Sequence, residues 1–314
     1  MIQVSNLVKR YGDLVALDHF DLDVKEGEIF GLLGPNGSGK TTAINCMLSL
    51  LKYSKGEVNL FGKPMNPTSY ASKRRIGIVM QNVAVFNELT VYENIDYFCG
   101  LYVPNKEKRA PLIEEAIEFT GLGDFRKFLP KKLSGGLLRR LNIACGIAHK
   151  PDLIFLDEPT VAVDPQSRNH ILEGIQELNR NGATIIYTSH YMEEVEQICT
   201  RIMIMDKGKA VATGTKDELK AMIRAGEKLT VEILDLPGNV LDEIKAIEGL
   251  VEAEYDEGIL TARCVAGSYC LSAVLDTLKR NNTGFGGVFS EPPTLNDVFL
   301  EITGKDLRDE GSGS

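Results

Sequence analysis

The chain has 314 residues, of which 43% are hydrophobic and 25% are charged, a balance typical of a globular protein. A net charge of -9 and a pI of about 5.2 disfavour a nucleic-acid partner, which would need a basic face. We predict neither a membrane span nor a signal peptide, because the sequence lacks any run of ~18 apolar residues and any basic-then-apolar N-terminal pattern. The six cysteines, scattered without Cys-x-x-Cys pairs, indicate reduced thiols in a cytosolic protein.

The first part of the chain, to about residue 220, alternates short apolar strands with helical patterns, which indicates an α/β domain. The first buried strand is predicted at Ile29–Leu33. It leads into a glycine-rich loop, Gly34–Thr41, and then into an amphipathic helix from Thr41 to Leu51. The loop fits the pattern GxxxxGK[ST], and it stands in the strand–loop–helix context that this pattern requires.

This loop is a predicted phosphate-binding site. Its glycines allow backbone N–H groups to turn toward phosphate oxygens, and the helix start adds a positive partial charge. We expect Lys40 to contact the β- and γ-phosphates of ATP, and Thr41 to bind Mg²⁺. The alternative is a glycine-rich turn without a ligand, but a chance match in a chain of this length has a probability of about 1%. The predicted nucleotide-binding residues here are Asn36, Gly37, Ser38, Gly39, Lys40, Thr41 and Thr42.

Three further runs that are apolar throughout predict strands covered on both faces. They are Ile76–Met80, Leu153–Leu156 and Thr184–Tyr187. Between about residues 86 and 150 the pattern is mainly helical. We therefore predict a helical subdomain inserted into the α/β core.

Two carboxylates, Asp157 and Glu158, follow the apolar run that ends at Leu156. By themselves they are more typical of a solvated strand end. In a chain that also carries a phosphate-binding loop, Asp157 is predicted to hold Mg²⁺ directly or through water. Glu158 then stands where a general base could polarise the attacking water.

The pattern changes after Gly214-Thr215. A helix is predicted from Lys216 to Arg224, and a second, small α+β domain over residues 227–304. Its predicted order of strand, helix, strand, strand and helix resembles a ferredoxin-like sandwich. These elements are Thr230–Leu234, Val240–Ile247, Val251–Tyr255, Ile259–Cys264 and Tyr269–Arg280. Residues 305–314 are predicted to be a tail, and its end, Gly311–Ser314, resembles an added linker.

The segment Leu133-Ser134-Gly135-Gly136, just before a predicted helix, resembles the signature motif of the ABC (ATP-binding cassette) ATPases. Other elements of that family follow in the expected order over residues 1 to about 220. The resemblance implies adenine stacking by Tyr11, a Q-loop glutamine at Gln81, a D-loop aspartate at Asp164 and a switch histidine at His190. It implies that Gln81 contributes to both the metal site and catalysis, that Lys40, Glu158 and His190 are catalytic, and that Ser134, Gly135, Gly136 and Asp164 bind nucleotide.

Each of these residues also has a purely structural interpretation. Tyr11 could be a packing residue, Gln81 a solvated strand end and His190 a satisfied loop histidine. Ser134 could be a helix N-cap, although a helix start that presents N–H and O–H groups also suits an anion. In the family, that anion is the γ-phosphate bound by the opposite subunit.

The sequence departs from the family pattern at Leu137, where the signature usually ends in glutamine. Leucine cannot make the side-chain hydrogen bond of an amide. The main donors, Ser134 and the backbone of Gly136, are still present. We therefore expect hydrolysis to survive at an altered rate.

The segment Pro293–Gly304 resembles the ending of ATPase subunits of ABC-2 type exporters, including the daunorubicin-resistance-like group. An amphipathic terminal helix packed on its own domain is the alternative, and the two are compatible. The resemblance implies an ATP- and Mg²⁺-dependent motor that pairs with a second cassette to form a homodimer. It further implies separate transmembrane permease subunits at the cytoplasmic face of the cell membrane.

Three other hypotheses follow from the same residues. A soluble ABC protein of translation or DNA repair usually carries two fused cassettes or coiled-coil insertions, neither of which this sequence has. An importer ATPase with a regulatory C-terminal domain is disfavoured by the exporter-like ending. A weakly hydrolysing or non-hydrolysing ATP sensor is suggested by Leu137 alone.

Overall fold

The computed structural model describes residues 1–268 and 270–304, without the side chain of Ala225. It divides into two compact units, Met1–Thr215 and a second that begins at Lys216. The predicted tail at residues 305–314 and the predicted helix start at Tyr269 lie outside the described residues. No helix in the described ranges is both long enough and apolar enough to cross a membrane.

The first unit opens with an antiparallel sheet that the sequence analysis did not predict. Its four strands have the order β2-β1-β4-β5. Buried Ile2 and Val4 alternate with Gln3 and Ser5 along β1, as expected for a strand with one covered face. The strands are β1 (Ile2–Tyr11), β2 (Leu14–Val24), β4 (Lys55–Leu60) and β5 (Lys63–Pro64).

A six-stranded sheet with the order β10-β9-β3-β8-β7-β6 forms the centre of the first unit. All neighbours pair in parallel except β9 and β10, which are antiparallel. The predicted buried strands are confirmed, although Met80 lies outside β6. The strands are β3 (Ile29–Leu33), β6 (Ile76–Val79), β7 (Leu153–Asp157), β8 (Thr184–Ser189), β9 (Arg201–Asp206) and β10 (Lys209–Gly214).

The helix after the phosphate-binding loop is shorter than predicted. It covers Lys40–Met47 instead of continuing to Leu51. Ser49, with a φ of 54°, adopts a left-handed conformation that a helix cannot continue through. The helices of this unit are α1 (Lys40–Met47), α2 (Tyr70–Lys73), α3 (Val91–Gly100), α4 (Lys106–Phe119), α5 (Gly135–Ile147), α6 (Pro165–Arg180) and α7 (Met192–Ile198).

Helices α3, α4 and α5 share a core of their own, which confirms that the segment between about residues 86 and 150 is mainly helical. Val91, Ile95, Ile113 and Leu141 are buried in it without measurable exposure. A larger core unites the antiparallel sheet, α1 and the central sheet. Helix α3 begins with a capping box. The Thr90 side chain accepts a hydrogen bond from the Glu93 backbone N–H, and the Glu93 carboxylate accepts one from the Thr90 backbone N–H.

The second unit contains an antiparallel sheet with the order β12-β13-β11-β14. The predicted order of strand, helix, strand, strand and helix is present, and β14 adds a strand that was not predicted. The helix predicted from Lys216 ends at Lys220 rather than at Arg224. The elements are α8 (Lys216–Lys220), β11 (Ala225–Glu232), α9 (Gly238–Lys245), β12 (Leu250–Asp256), β13 (Ile259–Val265), α10 (Cys270–Arg280), β14 (Val288–Glu291) and α11 (Leu295–Thr303).

Candidate nucleotide site

The site lies at the carboxyl edge of the central sheet. The phosphate-binding loop follows β3, Gln81 follows β6, Glu158 follows β7 and His190 follows β8. These four strands are consecutive in the sheet order. Because parallel strands end at the same edge, side chains far apart in sequence converge there, where ligands of open α/β sheets bind.

The phosphate-binding loop closes around the ammonium group of Lys40. Its Nζ donates to the carbonyl oxygens of Gly34 at 2.8 Å and Pro35 at 3.1 Å. A Cβ on Gly34 would clash with the backbone carbonyl of Met205, and one on Gly39 would lie 2.8 Å from that of Ala16. Gly39 also has a φ of 106°, which only glycine adopts readily. The loop therefore requires glycine at both positions.

The loop also holds a buried hydroxyl that lacks a partner. Ser38 is 2% exposed, and its Oγ has no hydrogen-bond partner among the described residues. A buried donor without a partner is unfavourable, so such a group fits a site that a ligand oxygen completes. Asn36, Gly37 and Thr41 are exposed on the same loop, with Thr42 partly exposed behind them.

Thr41 and Asp157 bring two side-chain oxygen atoms next to each other. Thr41 Oγ1 donates to Asp157 Oδ2 at 2.8 Å, and Thr188 Oγ1 holds the other carboxylate oxygen, Oδ1, at 2.6 Å. Asp157 has no measurable exposure. Mg²⁺ prefers oxygen ligands and keeps several water and phosphate oxygens, so a hydroxyl and a carboxylate side by side fit this ion. Thr188 was missed by the sequence analysis because nothing local distinguishes it from other strand residues.

Glu158 is held in an unusual backbone conformation, with a φ of 47°. Its N–H donates to Thr188 Oγ1 at 2.9 Å, which helps to hold this conformation. Strain of this kind costs on the order of 1–3 kcal/mol in general and is concentrated at functional sites. The carboxylate is thereby directed toward three predicted site residues. It lies 3.4 Å from Lys40 Nζ, 3.4 Å from His190 Nδ1 and 3.1 Å from Gln81 Nε2, which donates to it.

Burial and ion pairing shift the pKa values of Glu158 and Lys40 in opposite directions. Burial alone would raise the pKa of Glu158, but His190 and Lys40 outweigh it and hold the pKa below its usual value. Burial lowers the pKa of Lys40, although Glu158 opposes that shift. The His190 contact has the distance of an ion pair but lacks the alignment of a hydrogen bond. Glu158 is therefore an ionised carboxylate at neutral pH, as a proton acceptor must be.

Gln81 does not end a strand, as the sequence suggested, but follows β6 in an irregular segment. Arg139 on α5 holds that segment in place. Its guanidinium donates to the carbonyl oxygens of Met80 at 3.0 Å, Gln81 at 2.8 Å and Glu158 at 2.6 Å. Arg139 is 4% exposed and was not predicted. It joins two segments of the site that are remote in sequence.

A second group of predicted residues lies at the starts of α5 and α6. Ser134 caps α5 by accepting from the backbone N–H of Leu137 at 3.3 Å. Asp164 caps α6 by accepting from Ser167 N at 2.9 Å, and this bond lowers the pKa of its carboxyl. A Cβ on Gly136 would lie 2.5 Å from Ser167 Oγ and 3.1 Å from Asp164 Oδ2, so the two caps adjoin. Gly135 is exposed beside them.

In the described residues, no hydrogen bond or ion pair joins this second group to Lys40, Thr41, Asp157 or Glu158. Tyr11 is the last residue of β1. It is 46% exposed, and Lys9 Nζ lies 4.5 Å from its ring centroid. Leu137 is half-buried and packs against the core shared by α3, α4 and α5.

Known proteins resemble this chain over most of its length. Residues 17–161 match the ABC transporter family. The linearmycin resistance ATP-binding protein LnrL of Bacillus subtilis (strain 168) is 35% identical over 98% of this chain and 100% of its own length. The daunorubicin resistance ATP-binding protein DrrA3 of Streptomyces coeruleorubidus is 34% identical over 98% of this chain and 97% of its own length.

Solved structures match about two thirds of this chain. A dimeric, post-hydrolysis structure of the ATP-binding cassette MJ0796, bound to ADP and Pi, has a TM-score of 0.63 and 28% identity. The match covers 68% of this chain and 98% of that chain. The structure of cbiO1 from Clostridium perfringens, part of the ABC transporter complex cbiONQ, has a TM-score of 0.65 and 27% identity, over 70% of this chain and 90% of that chain.

Proposed function

Because this chain belongs to the ATP-binding subunits of ABC transporters and groups with exporter ATPases, we propose that it drives efflux through separate transmembrane subunits as a head-to-tail dimer. The observation that carries the proposal is the division of the site into two groups. Lys40, Thr41, Asp157 and Glu158 form one group, and the cap of α5 at Ser134 belongs to the other. One copy therefore presents two halves that a second copy can complete.

The first group supplies the contacts to the phosphates. Lys40 is the buried cation for the β- and γ-phosphates, and Ser38 Oγ is a buried donor that finds no hydrogen-bond partner among the described residues. Thr41 and Asp157 provide oxygen ligands for Mg²⁺, with Gln81 as a further ligand from the segment that Arg139 holds. The bound ion would neutralise charge on the phosphate oxygens.

Glu158 is the proposed general base. Its lowered pKa keeps it able to accept a proton from the attacking water at neutral pH. His190, at 3.4 Å, and Gln81, which donates at 3.1 Å, orient the carboxylate. His190 is also proposed to stabilise the charge that develops on the γ-phosphate as its bond to ADP breaks.

The second group supplies the other side of each composite site. The start of α5 offers Ser134 Oγ and backbone N–H groups, the donors that a γ-phosphate attracts at a helix N-terminus. Asp164, next to Gly136, extends the same surface. Two copies related by a twofold axis would place each Ser134 opposite the Lys40 of the partner. The exposed Tyr11 ring is the proposed stacking surface for adenine.

The permease subunits and the location follow from the exporter assignment. We propose that this chain is peripheral at the cytoplasmic face of the cell membrane, attached through its permease, and that the mainly helical segment transmits the motion. The second unit, which contains none of the catalytic residues, is proposed to regulate or stabilise assembly.

A dimerisation experiment tests this function. Glu158→Gln should bind ATP without hydrolysing it rapidly, so light scattering should detect a dimer when ATP is added. Adding Ser134→Arg to the same chain should abolish that dimer while ATP still binds to the monomer. Ser54→Arg is the matched control, since Ser54 is an exposed serine that belongs to neither group. A dimer that survives Ser134→Arg would contradict the head-to-tail arrangement.

A further inference from the structure

A buried carboxylate with no direct role in the proposed chemistry lies beside the His190 loop, which comprises residues 189–191. Glu194, on α7, is 2% exposed. Its Oε2 accepts hydrogen bonds from Tyr187 Oη at 2.7 Å, Thr160 Oγ1 at 2.8 Å and Ser189 Oγ at 2.9 Å. Burial, together with Glu194, raises the pKa of Tyr187 well above its usual value, so that hydroxyl stays protonated and donates. The Oε2 atom of Glu194 thus accepts hydrogen bonds from three hydroxyl groups, two on β8 and one in the segment after β7.

The other oxygen of Glu194 faces a cation from a third segment. Arg168 Nε, in the first turns of α6, lies 3.3 Å from Glu194 Oε1. Burying a carboxylate in this way is costly, and well-packed apolar side chains of similar volume often give equal or greater stability than a buried ion pair. Stability therefore does not by itself account for a carboxylate here.

The first consequence of these contacts is that the His190 loop is held on both sides. Ser189 Oγ donates to Glu194 and accepts from the backbone N–H of Tyr191 at 2.9 Å. His190 stands between these two residues, and its ring packs on that of Tyr191 with centroids 4.1 Å apart. The guanidinium of Arg168 lies 5.0 Å from the centroid of the same tyrosine ring.

The second consequence concerns the segment between Glu158 and α6. Thr160, two residues after Glu158, is 1% exposed and bonds to Glu194. Arg168 lies one turn beyond Asp164, the N-cap of α6, whose carboxylate adjoins Gly136. Glu194 thereby contacts both the segment that follows Glu158 and the helix that begins after Asp164.

We propose that Glu194 is a positioning residue that fixes the His190 loop and the Thr160–Asp164 segment relative to each other. Movement of Asp164 against the Ser134 surface then changes the placement of His190 against Glu158. This inference rests on the proposed function, because it assigns a role in the same ATPase cycle. Glu194 itself contacts neither Lys40 nor Thr41, so the initial binding of ATP does not depend on it.

The test uses the full chain with MgATP as substrate. Glu194→Ala should lower kcat by between about tenfold and 10²-fold, the size expected when a reacting geometry is displaced by about 1 Å. ATP affinity, measured by isothermal titration, should stay within about threefold of the wild-type value. Glu193→Ala is the matched control, since Glu193 is the exposed neighbour on the same helix. Unchanged kcat in Glu194→Ala would overturn the proposal.

A double-mutant comparison separates positioning from general destabilisation. If Glu194 acts through His190, the double variant of Glu194→Ala and His190→Ala should have the kcat of His190→Ala alone. Additive losses would overturn the proposal. Ser189→Ala provides a milder variant should Glu194→Ala fail to fold. It removes the hydroxyl beside His190 and should lower kcat at unchanged ATP affinity; unchanged kcat there would equally overturn the proposal.

These outcomes are distinct from failure of the proposed function. Absence of hydrolysis by the wild-type chain, or absence of ATP-dependent dimers, would refute the motor and with it this inference. Hydrolysis and dimerisation with an unaffected Glu194→Ala would refute only the positioning role.

Discussion

Lys40 Nζ lies 3.4 Å from Glu158 Oε1, and each of the two residues is 5% exposed. The cation predicted to bind phosphate and the carboxylate predicted to activate water are therefore direct partners. An incoming γ-phosphate would compete with Glu158 for this ammonium group. The two side chains consequently affect ATP binding with opposite signs, which leads to the first two predictions.

Lys40→Ala should abolish measurable ATP binding. The substitution removes the buried cation that the phosphates need and leaves the buried Glu158 carboxylate without its lysine partner. Isothermal titration measures the affinity, and Lys52→Ala, at an exposed lysine, is the control. An affinity equal to that of the wild type would refute the assignment of the phosphate-binding loop.

Glu158→Gln should bind ATP at least as tightly as the wild type, because the competitor for Lys40 becomes neutral. Hydrolysis should slow by about 10²-fold or more, the usual contribution of a positioned base. Titration and steady-state phosphate release together check both effects, with Glu57→Gln at an exposed position as the control. Wild-type turnover in Glu158→Gln would remove this residue from the mechanism.

Arg139→Met should destabilise the first unit by about 2–4 kcal/mol, because three carbonyl groups lose a charged donor in a buried site. It should also lower kcat, since Gln81 and Glu158 lose their common support. Thermal unfolding and ATPase assays measure the two effects. Arg140→Met is the control: the neighbouring arginine donates to one carbonyl, that of Thr120 at 3.3 Å. If both substitutions changed stability and kcat equally, the hydrogen bonds of Arg139 to Met80, Gln81 and Glu158 would have no special importance.

Leu137→Gln should raise the rate of hydrolysis by no more than about tenfold, which corresponds to ~1.4 kcal/mol. An amide adds at most one hydrogen bond to the opposite nucleotide, whereas removing the leucine costs packing on the core of α3, α4 and α5. Leu112→Gln controls for that packing, since Leu112 contacts the same core outside the signature motif. Robust turnover of Leu137→Gln beside an inactive wild type would instead favour the ATP-sensor hypothesis.

The stability of the first unit should depend on pH through His149. Burial lowers the pKa of this histidine to about 4, while its Nε2 lies 3.1 Å from the carbonyl oxygen of Ile76 and its ring stacks on Tyr102. The unfolded chain therefore binds more protons than the folded chain between pH 6.5 and about 4. The contribution of His149 to the free energy of unfolding is fully present above pH 6.5. It decreases by up to about 3 kcal/mol as the pH falls through this range.

The free energy of unfolding, measured at pH 7 and at pH 4.5, should be lower at the acidic pH. His149→Phe, which keeps a ring on Tyr102 but cannot titrate, should lose less stability on acidification than the wild type. Identical pH dependence in both proteins would contradict the assignment to His149.

The sequence by itself determined the parts of the site whose chemistry is local. In the phosphate-binding loop, the glycines, Lys40 and Thr41 occupy one short segment, so their spacing already specifies the geometry. Asp157 and Glu158 were predicted for the same reason, at the end of an unbroken apolar run. Continuous apolar runs likewise predicted β3, β6, β7 and β8. The strands β1 and β2 were missed because neither is a continuous apolar run, and irregular pairing after Val4 interrupts the alternation along β1.

Only the tertiary structure decided which remote residues support that site. Arg139 meets Met80 across 59 positions of sequence, and Thr188 meets Asp157 across 31. Glu194 likewise meets Thr160 across 34 positions. These contacts depend on the sheet order that makes β6, β7 and β8 neighbours and on the burial that removes competing water. Sequence spacing encodes neither of these, because a hydrogen-bond partner in a folded core is chosen by proximity in space.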